Sequence, residues 1–154
     1  MPSIRPATAE DAEFLAPRLR QADKAELLAG SGTSPLDALM EGLRLSAPAL
    51  VGVDDDDVPI LMFGVAPIDD TLGCVWMLSS DDIYKHKFTF LKRSKRVLDD
   101  FNKKWPVLFN VCDERNVDHI EWMRRLGYTF IARHPNYGQA GIPFIEFVRV
   151  NFHV

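Results

Sequence analysis

The chain has 154 residues, 47% of them hydrophobic, enough for one core and a single domain spanning 1–154. Its formal net charge of −4 speaks against bulk binding to nucleic acid or to an anionic membrane, so neither is expected as a partner. No apolar run reaches the roughly 18 residues of a membrane span, and polar Arg5 to Ala9 stands where a signal peptide needs its apolar stretch, which predicts a soluble intracellular protein.

Residues 3–6 read as a short first strand. Thr8-Ala-Glu-Asp11 is a capping-box pattern that starts a helix with Ala12, Leu15 and Leu19 at helical spacing, and Pro17 kinks or splits it. Gly30 to Ser34 breaks the chain, after which Ser34 caps a second helix with Pro35 at its first position and Leu36, Leu39, Met40 and Leu43 on one face. Ala49–Val53 and Val58–Val65 are apolar runs flanking Asp54–Asp57, a hairpin signal. Pro67 to Gly73 is a turn, and Cys74-Val-Trp-Met-Leu78 is a continuous apolar strand of the kind buried on both faces.

Ser79 to Lys87 reads as a loop. Phe88 to Trp105 is a helix with Leu91, Leu98, Phe101 and Trp105 inward, stopped by Pro106. A strand at 107–112, a helix at 116–126, a strand at 128–133, a loop at 137–143 and a last strand at 144–152 complete the order βααβββαβαββ. That order is α/β in class, in the α+β sense. Cys74 and Cys112 sit inside apolar runs and read as buried free thiols, which suits a reducing compartment.

Several residues carry candidate chemistry. Asn116 stands at a helix N-cap, where its side chain either satisfies orphan amides or touches a ligand. Lys85, Lys87, Lys92, Arg93, Lys95 and Arg96 form a basic run at a helix start. It reads either as a solvated face or as a phosphate site, where free amides and the helix dipole add to the cations. His86 lies in the same run. His119 lies in the first turn of a helix, which disfavours the imidazolium. Glu146 interrupts the apolar run 141–148. If buried, it would be raised toward general-base range; if simple alternation holds, it faces solvent. The histidines and cysteines show no paired metal-ligand spacing, so no metal is expected.

The segment from Val107 through Asn116, Leu126-Gly-Tyr128 and the following strand resembles the second half of the signature of the Gcn5-related N-acetyltransferases, the GNAT superfamily. More closely, the chain resembles the GNAT-like family of T7-type podophages that includes internal virion protein A. The residues carrying that likeness are Ile4-Arg-Pro-Ala-Thr8, Val51-Gly-Val53, Phe63-Gly-Val65, Gly73-Cys-Val-Trp76, His86, Phe90-Leu91, Ser94, Asn110-Val111, Asp113, Arg115-Asn116, His119-Ile120 and Tyr137-Gly138. Gly141 and Pro143-Phe-Ile-Glu-Phe147 complete it.

The resemblance implies a mixed, mostly antiparallel sheet of about seven strands with four helices. It implies that Trp76, Met77 and Leu78 run along the pantetheine arm of acetyl-CoA. The phosphates would fall to Lys85, Lys87 and Arg93, with Asn116 beside the cofactor. The family loop Arg/Gln-x-x-Gly-x-Gly/Ala is replaced by Tyr84–Phe90, which has no glycine, and the usual tyrosine seven residues after the Asn is Met123. A thioether donates no proton.

The expected function is therefore a phage-encoded acyltransferase moving an acetyl group from acetyl-CoA to an amine by direct attack, with His86, His119 or Glu146 taking the proton. The acceptor pocket would lie between the N-terminal helices and the 137–143 loop. The alternative is a binding protein of the same fold, without catalysis, that engages a bacterial host protein or other virion proteins. In either case the resemblance places it in the host cytoplasm or packaged in the virion.

Overall fold

Seven strands, β1 (Ser3–Pro6), β2 (Ala49–Val53), β3 (Pro59–Pro67), β4 (Leu72–Ser79), β5 (Val107–Asp113), β6 (Thr129–Tyr137) and β7 (Ile142–Val150), form one sheet in the order β1-β2-β3-β4-β5-β7-β6. The structure, a computed structural model, describes residues 1–151. All strand pairs are antiparallel except β4 with β5. The expected end of the last strand at Phe152 lies outside the described residues.

The sequence predicts four helices; among the described residues there are five α-helices. They are α1 (Ala9–Leu15), α2 (Gln21–Gly30), α3 (Pro35–Leu45), α4 (Lys87–Lys104) and α5 (Val117–Arg125). Pro17 accounts for the extra one. It ends α1, and a 3-10 turn over Ala16–Arg18 redirects the chain before α2 begins. The start of α1 follows the sequence: Thr8 Oγ1 accepts the Asp11 amide and Asp11 accepts the Thr8 amide. The 79–87 segment, read as a loop, contains a 3-10 helix, Asp81–His86, whose first turn is closed by the Asp82 amide donating to Ser80 Oγ.

Strand alternation divides the core between the two sheet faces. Phe63, Val65, Val75, Leu108 and Phe147 pack with Phe90, Leu98 and Trp122 under α4 and α5. Val51, Met62 and Leu78 pack with Ala12, Leu15 and Leu39 under α1 and α3. Each fully buried large apolar side chain stabilises the fold by about 1.5–3 kcal/mol.

Two turns position the residues that matter for the cleft. After α5, Gly127 adopts φ +94, its amide bonds the Arg124 carbonyl and the Tyr128 amide bonds the Met123 carbonyl. This is a Schellman closure that needs a residue without Cβ strain. The β6–β7 turn caps α2: the Gln139 amide donates to the Gly30 carbonyl and the Ala140 amide to that of Ala29. Gly138, at φ +68, lies so close to the Gly30 carbonyl that an added Cβ would fall 2.6 Å from its oxygen.

Candidate functional site: a cleft where two parallel strands part

β4 and β5 pair only through Leu72–Val107, Gly73–Leu108 and Cys74–Phe109. Beyond these the strands separate, joined by one side chain: Asn110 Nδ2 donates to the Val75 carbonyl at 2.6 Å. The gap opens into a cavity of about 300 Å³ lined by the Cys74–Leu78 strand, Asn110, Val111, α5 and the helices of the opposite face. This corrects the expectation that the apolar run 74–78 is buried on both sides. Cys74, Trp76 and Met77 are half-buried because one side of the strand faces the cavity rather than a packed neighbour.

Helix α2 delivers a polar cluster to the open end of the gap. Arg20 donates to Asp23 at 3.1 Å and to Asn116 Oδ1 at 2.7 Å. Asp23 accepts the Ser79 amide at the end of β4, and Glu26 Oε1 accepts the Asp113 amide at the end of β5. Asn116 Nδ2 donates to Asp23 and to Glu26 Oε1. Cations and carboxylates do not match in number here. Arg20 pairs with Asp23, and Arg115 pairs with Asp113. Among the described residues Glu26 is left without a cation. Burial pushes its carboxyl up to about 7, and the neighbouring Asp23 adds to the rise. Both of its hydrogen bonds reach Oε1, and Glu26 lines the cavity.

Three more polar groups line the same space. Tyr128, carried in by the Gly127 turn, is 5% exposed and burial raises its pKa. Its ring is held edge-on by Phe147 at 5.0 Å. Ser94 on α4 is 3% exposed, and its hydroxyl has no partner among the described residues. His119 is 6% exposed and lies between this cavity and a smaller one of about 60 Å³. Its pKa is lowered, chiefly by burial, although the helix start alone led to the same direction.

The smaller cavity lies between the start of α4 and the start of α5, with Arg20, Lys87, Tyr84, Asp118 and Trp122 around it. Tyr84 Oη bridges its walls, donating to Asp118 at 2.7 Å and accepting from Arg20 at 3.2 Å. Trp122 Nε1 is buried with no partner among the described residues. Met77 and His119 border both cavities, so the two are neighbouring compartments of one cleft.

The residues singled out in the sequence are distributed unevenly. Trp76, Met77, Leu78 and His119 line the large cavity, and Lys87 lines the small one. Lys85 is on the outer surface, paired with Asp82 at 3.2 Å. Arg93 turns toward Met1, and His86 stands edge-on to Phe90 at 6.2 Å. None of these three lines either cavity among the described residues. Glu146 lies in register with Val111 and Ala132 and bonds His134 Nε2 at 3.0 Å, also outside both linings.

Asn116 occupies the N-cap position but its side chain makes no capping bond. The buried charges of α2 hold it instead, because an amide supplies both the donor that Glu26 needs and the acceptor that Arg20 needs. The 137–143 loop supports α2 rather than lining the pocket. Sequence reading missed Glu26 and Tyr128. Glu26 gives no local signal, while the Leu-Gly-Tyr motif is a signal for Tyr128.

No family model matches the sequence, and no curated protein matches it significantly. Solved structures do match over nearly the whole chain. Ard1 from Thermoplasma volcanium superposes with a TM-score of 0.75 at 14% identity, covering 99% of each chain. The ribosomal-protein-alanine N-acetyltransferase from Brucella melitensis gives 0.73 at 15% identity, covering 97% of this chain and 99% of its own. A GCN5-related N-acetyltransferase from Kribbella flavida gives 0.69 at 14% identity, covering 97% and 98%. Identities this low speak to architecture alone, and on that ground the chain has the mixed seven-stranded fold of the Gcn5-related N-acetyltransferases.

Proposed function

We propose that this protein transfers an acetyl group from acetyl-CoA to an amine by direct attack. The observation that carries the reading is the parting of β4 and β5 after Cys74, which leaves one edge of β4 unpaired beside a cavity of about 300 Å³. The unpaired backbone of residues 76–78 suits an amide-bearing arm such as pantetheine, with Trp76, Met77 and Leu78 flanking it. The first turn of α4, whose N-cap makes no side-chain bond, offers amides and the Lys87 ammonium to the phosphates. Lys85 reaches them only by leaving Asp82, and Arg93 only by leaving Met1. Asn116 acts as a positioning residue, fixing Glu26 and Arg20.

Within this reading Glu26 is placed to take the amine proton, and neutral His119 is a second acceptor on the same wall. His86 and Glu146 stand outside the linings and reach the cleft only through water. Tyr128 Oη is placed to return a proton to the departing thiolate in place of the residue lost at Met123. Because the cleft is largely apolar, the polarised carbonyl and the fixed positions of these groups carry much of the rate.

Thermal unfolding with coenzyme A tests the reading. Saturation at a hundred times the dissociation constant should add about 2.7 kcal/mol to stability. Lys87→Glu should remove the shift, while Arg93→Glu should leave it. No shift at millimolar coenzyme A ends the transferase reading.

The Tyr84–Asp118–Arg20 bridge and the glycine-free loop favour a second reading, in which the fold serves as a binding protein without catalysis. The podophage resemblance then suggests a bacterial host protein or other virion proteins as partners. Pull-down from bacterial lysate by a protein that fails the coenzyme A test would support it, and coenzyme A binding would remove it.

A further inference from the structure

The two compartments of the cleft differ in charge. The small one has Arg20 and Lys87 in its wall. The large one has two carboxylates, Glu26 and Glu41, and no lysine or arginine among the described residues that line it. Leu27, Leu45 and Trp76 give it an apolar wall. The indole is fixed there: Trp76 Nε1 donates to Ser46 Oγ at 2.7 Å, and a Cβ added at Gly42 would fall 2.5 Å from the ring. Ser94 lines the same cavity, and its buried hydroxyl has no partner among the described residues.

We infer that the acceptor is a small monocationic amine with an apolar body, received at the Glu26 and Glu41 carboxylates with Trp76 against its apolar part. The inference rests on the transferase reading for its chemistry but not for its binding. An apolar wall removes water from the ammonium, and an unpaired carboxylate then compensates for the lost hydration. The fixed indole face adds attraction for the cation. At about 300 Å³ the cavity is at the small end of ligand sites, and in the transferase reading the thioester arm shares it, so only a small acceptor fits beside it. An acceptor bearing its own carboxylate would meet Glu26 and Glu41 with no cation to offset it.

The chemistry balances as follows. Glu26 takes one proton from the ammonium and passes it to water. The freed nitrogen lone pair forms the C–N bond to the acyl carbon as the C–S bond breaks, and the sulfur keeps that bond's electron pair. Tyr128 gives its proton to the thiolate, and the second proton shed by the nitrogen returns through water to Tyr128. Each amide therefore forms with one free thiol and one proton released to solvent.

Calorimetric titration of the whole protein, without acetyl-CoA, with 2-phenylethylamine, phenylacetate, phenylalanine and a short alanine-terminated peptide tests this directly. Phenylethylamine should bind at least tenfold tighter than the other three, and Glu26→Gln and Glu41→Gln should each weaken it at least fivefold. Binding of phenylacetate or peptide at equal strength, or unchanged affinity in both variants, overturns the proposal. A coenzyme A titration in parallel separates the two claims. Amine binding without coenzyme A binding upholds the amine site and ends the transferase reading, whereas coenzyme A binding without amine preference does the reverse.

Discussion

β5 has a buried guanidinium near each end, and the two are used differently. At the paired end Arg149 donates to the Leu126 carbonyl at 2.9 Å, to Asn102 at 2.7 Å and to Asp99 at 2.6 Å. Asn102 in turn donates to the carbonyls of Trp105 and Arg149. The cation has its carboxylate, and the network ties α4, α5 and β7 together. At the open end Arg20 answers Asp23, and Glu26 remains over. A network with matched charges stabilises a fold, while a surplus carboxylate beside a cavity holds a proton that it releases near neutrality.

Breaking the matched network should have the largest effect. Arg149→Met strands Asn102 and the Leu126 carbonyl and should cost about 3 kcal/mol in urea unfolding. A loss under about 1 kcal/mol would mean that the two ends do not differ in this way.

Glu26→Gln sharpens the contrast from the other side. Turnover should fall about a hundredfold, the scale of a lost general base. In the wild type, turnover should rise with pH and level off above about 7 as Glu26 deprotonates, and this limb should vanish in the variant. Stability should move oppositely. Glu26 binds its proton more tightly folded than unfolded, so the wild type should lose stability as pH rises from about 4.5 to about 7. Removing the carboxylate should flatten that decline, which is on the order of 3 kcal/mol. Buried His119, with its lowered pKa, acts in the reverse sense. It binds its proton less tightly when folded, so stability is lost as pH falls below about 6.5. Only the difference curve between wild type and variant isolates Glu26, and a flat difference curve would refute its surplus charge.

Tyr128→Phe keeps the edge-on contact with Phe147 and should slow thiol release about tenfold with little loss of stability. An unchanged rate would give the proton donation to water. The smallest effect is expected from Tyr84→Phe, which removes the bridge to Asp118. Stability should change by about 1 kcal/mol or less, and coenzyme A should associate faster. Slower association would show that the bridge helps the entrance rather than blocking it.

Much of the architecture could be read along the chain because it depends on near neighbours. The capping box at Thr8 and Asp11, the Pro35 helix start and the Leu126-Gly-Tyr128 turn are set by side chains and amides a few residues apart. The errors lie where long-range contacts override such patterns. Asn116 has the residue type and position of a cap, yet Arg20, 96 residues away, holds its side chain. The apolar run 74–78 matches a fully buried strand, but β5 departs from it after Phe109. The basic run 85–96 is uniform in sequence, yet the wrapping of α4 points Lys87 toward the cleft and Arg93 toward Met1.

Periodicity, caps and turns determined the strands and helices, because those choices are made within a few residues by steric fit and hydrogen bonding. Only the tertiary structure decided which acid carries the surplus charge. Glu26 meets the Asp113 amide across 87 residues, and its proton affinity follows from burial and from cations assigned elsewhere. These are properties of a place in space that no local stretch of chain encodes.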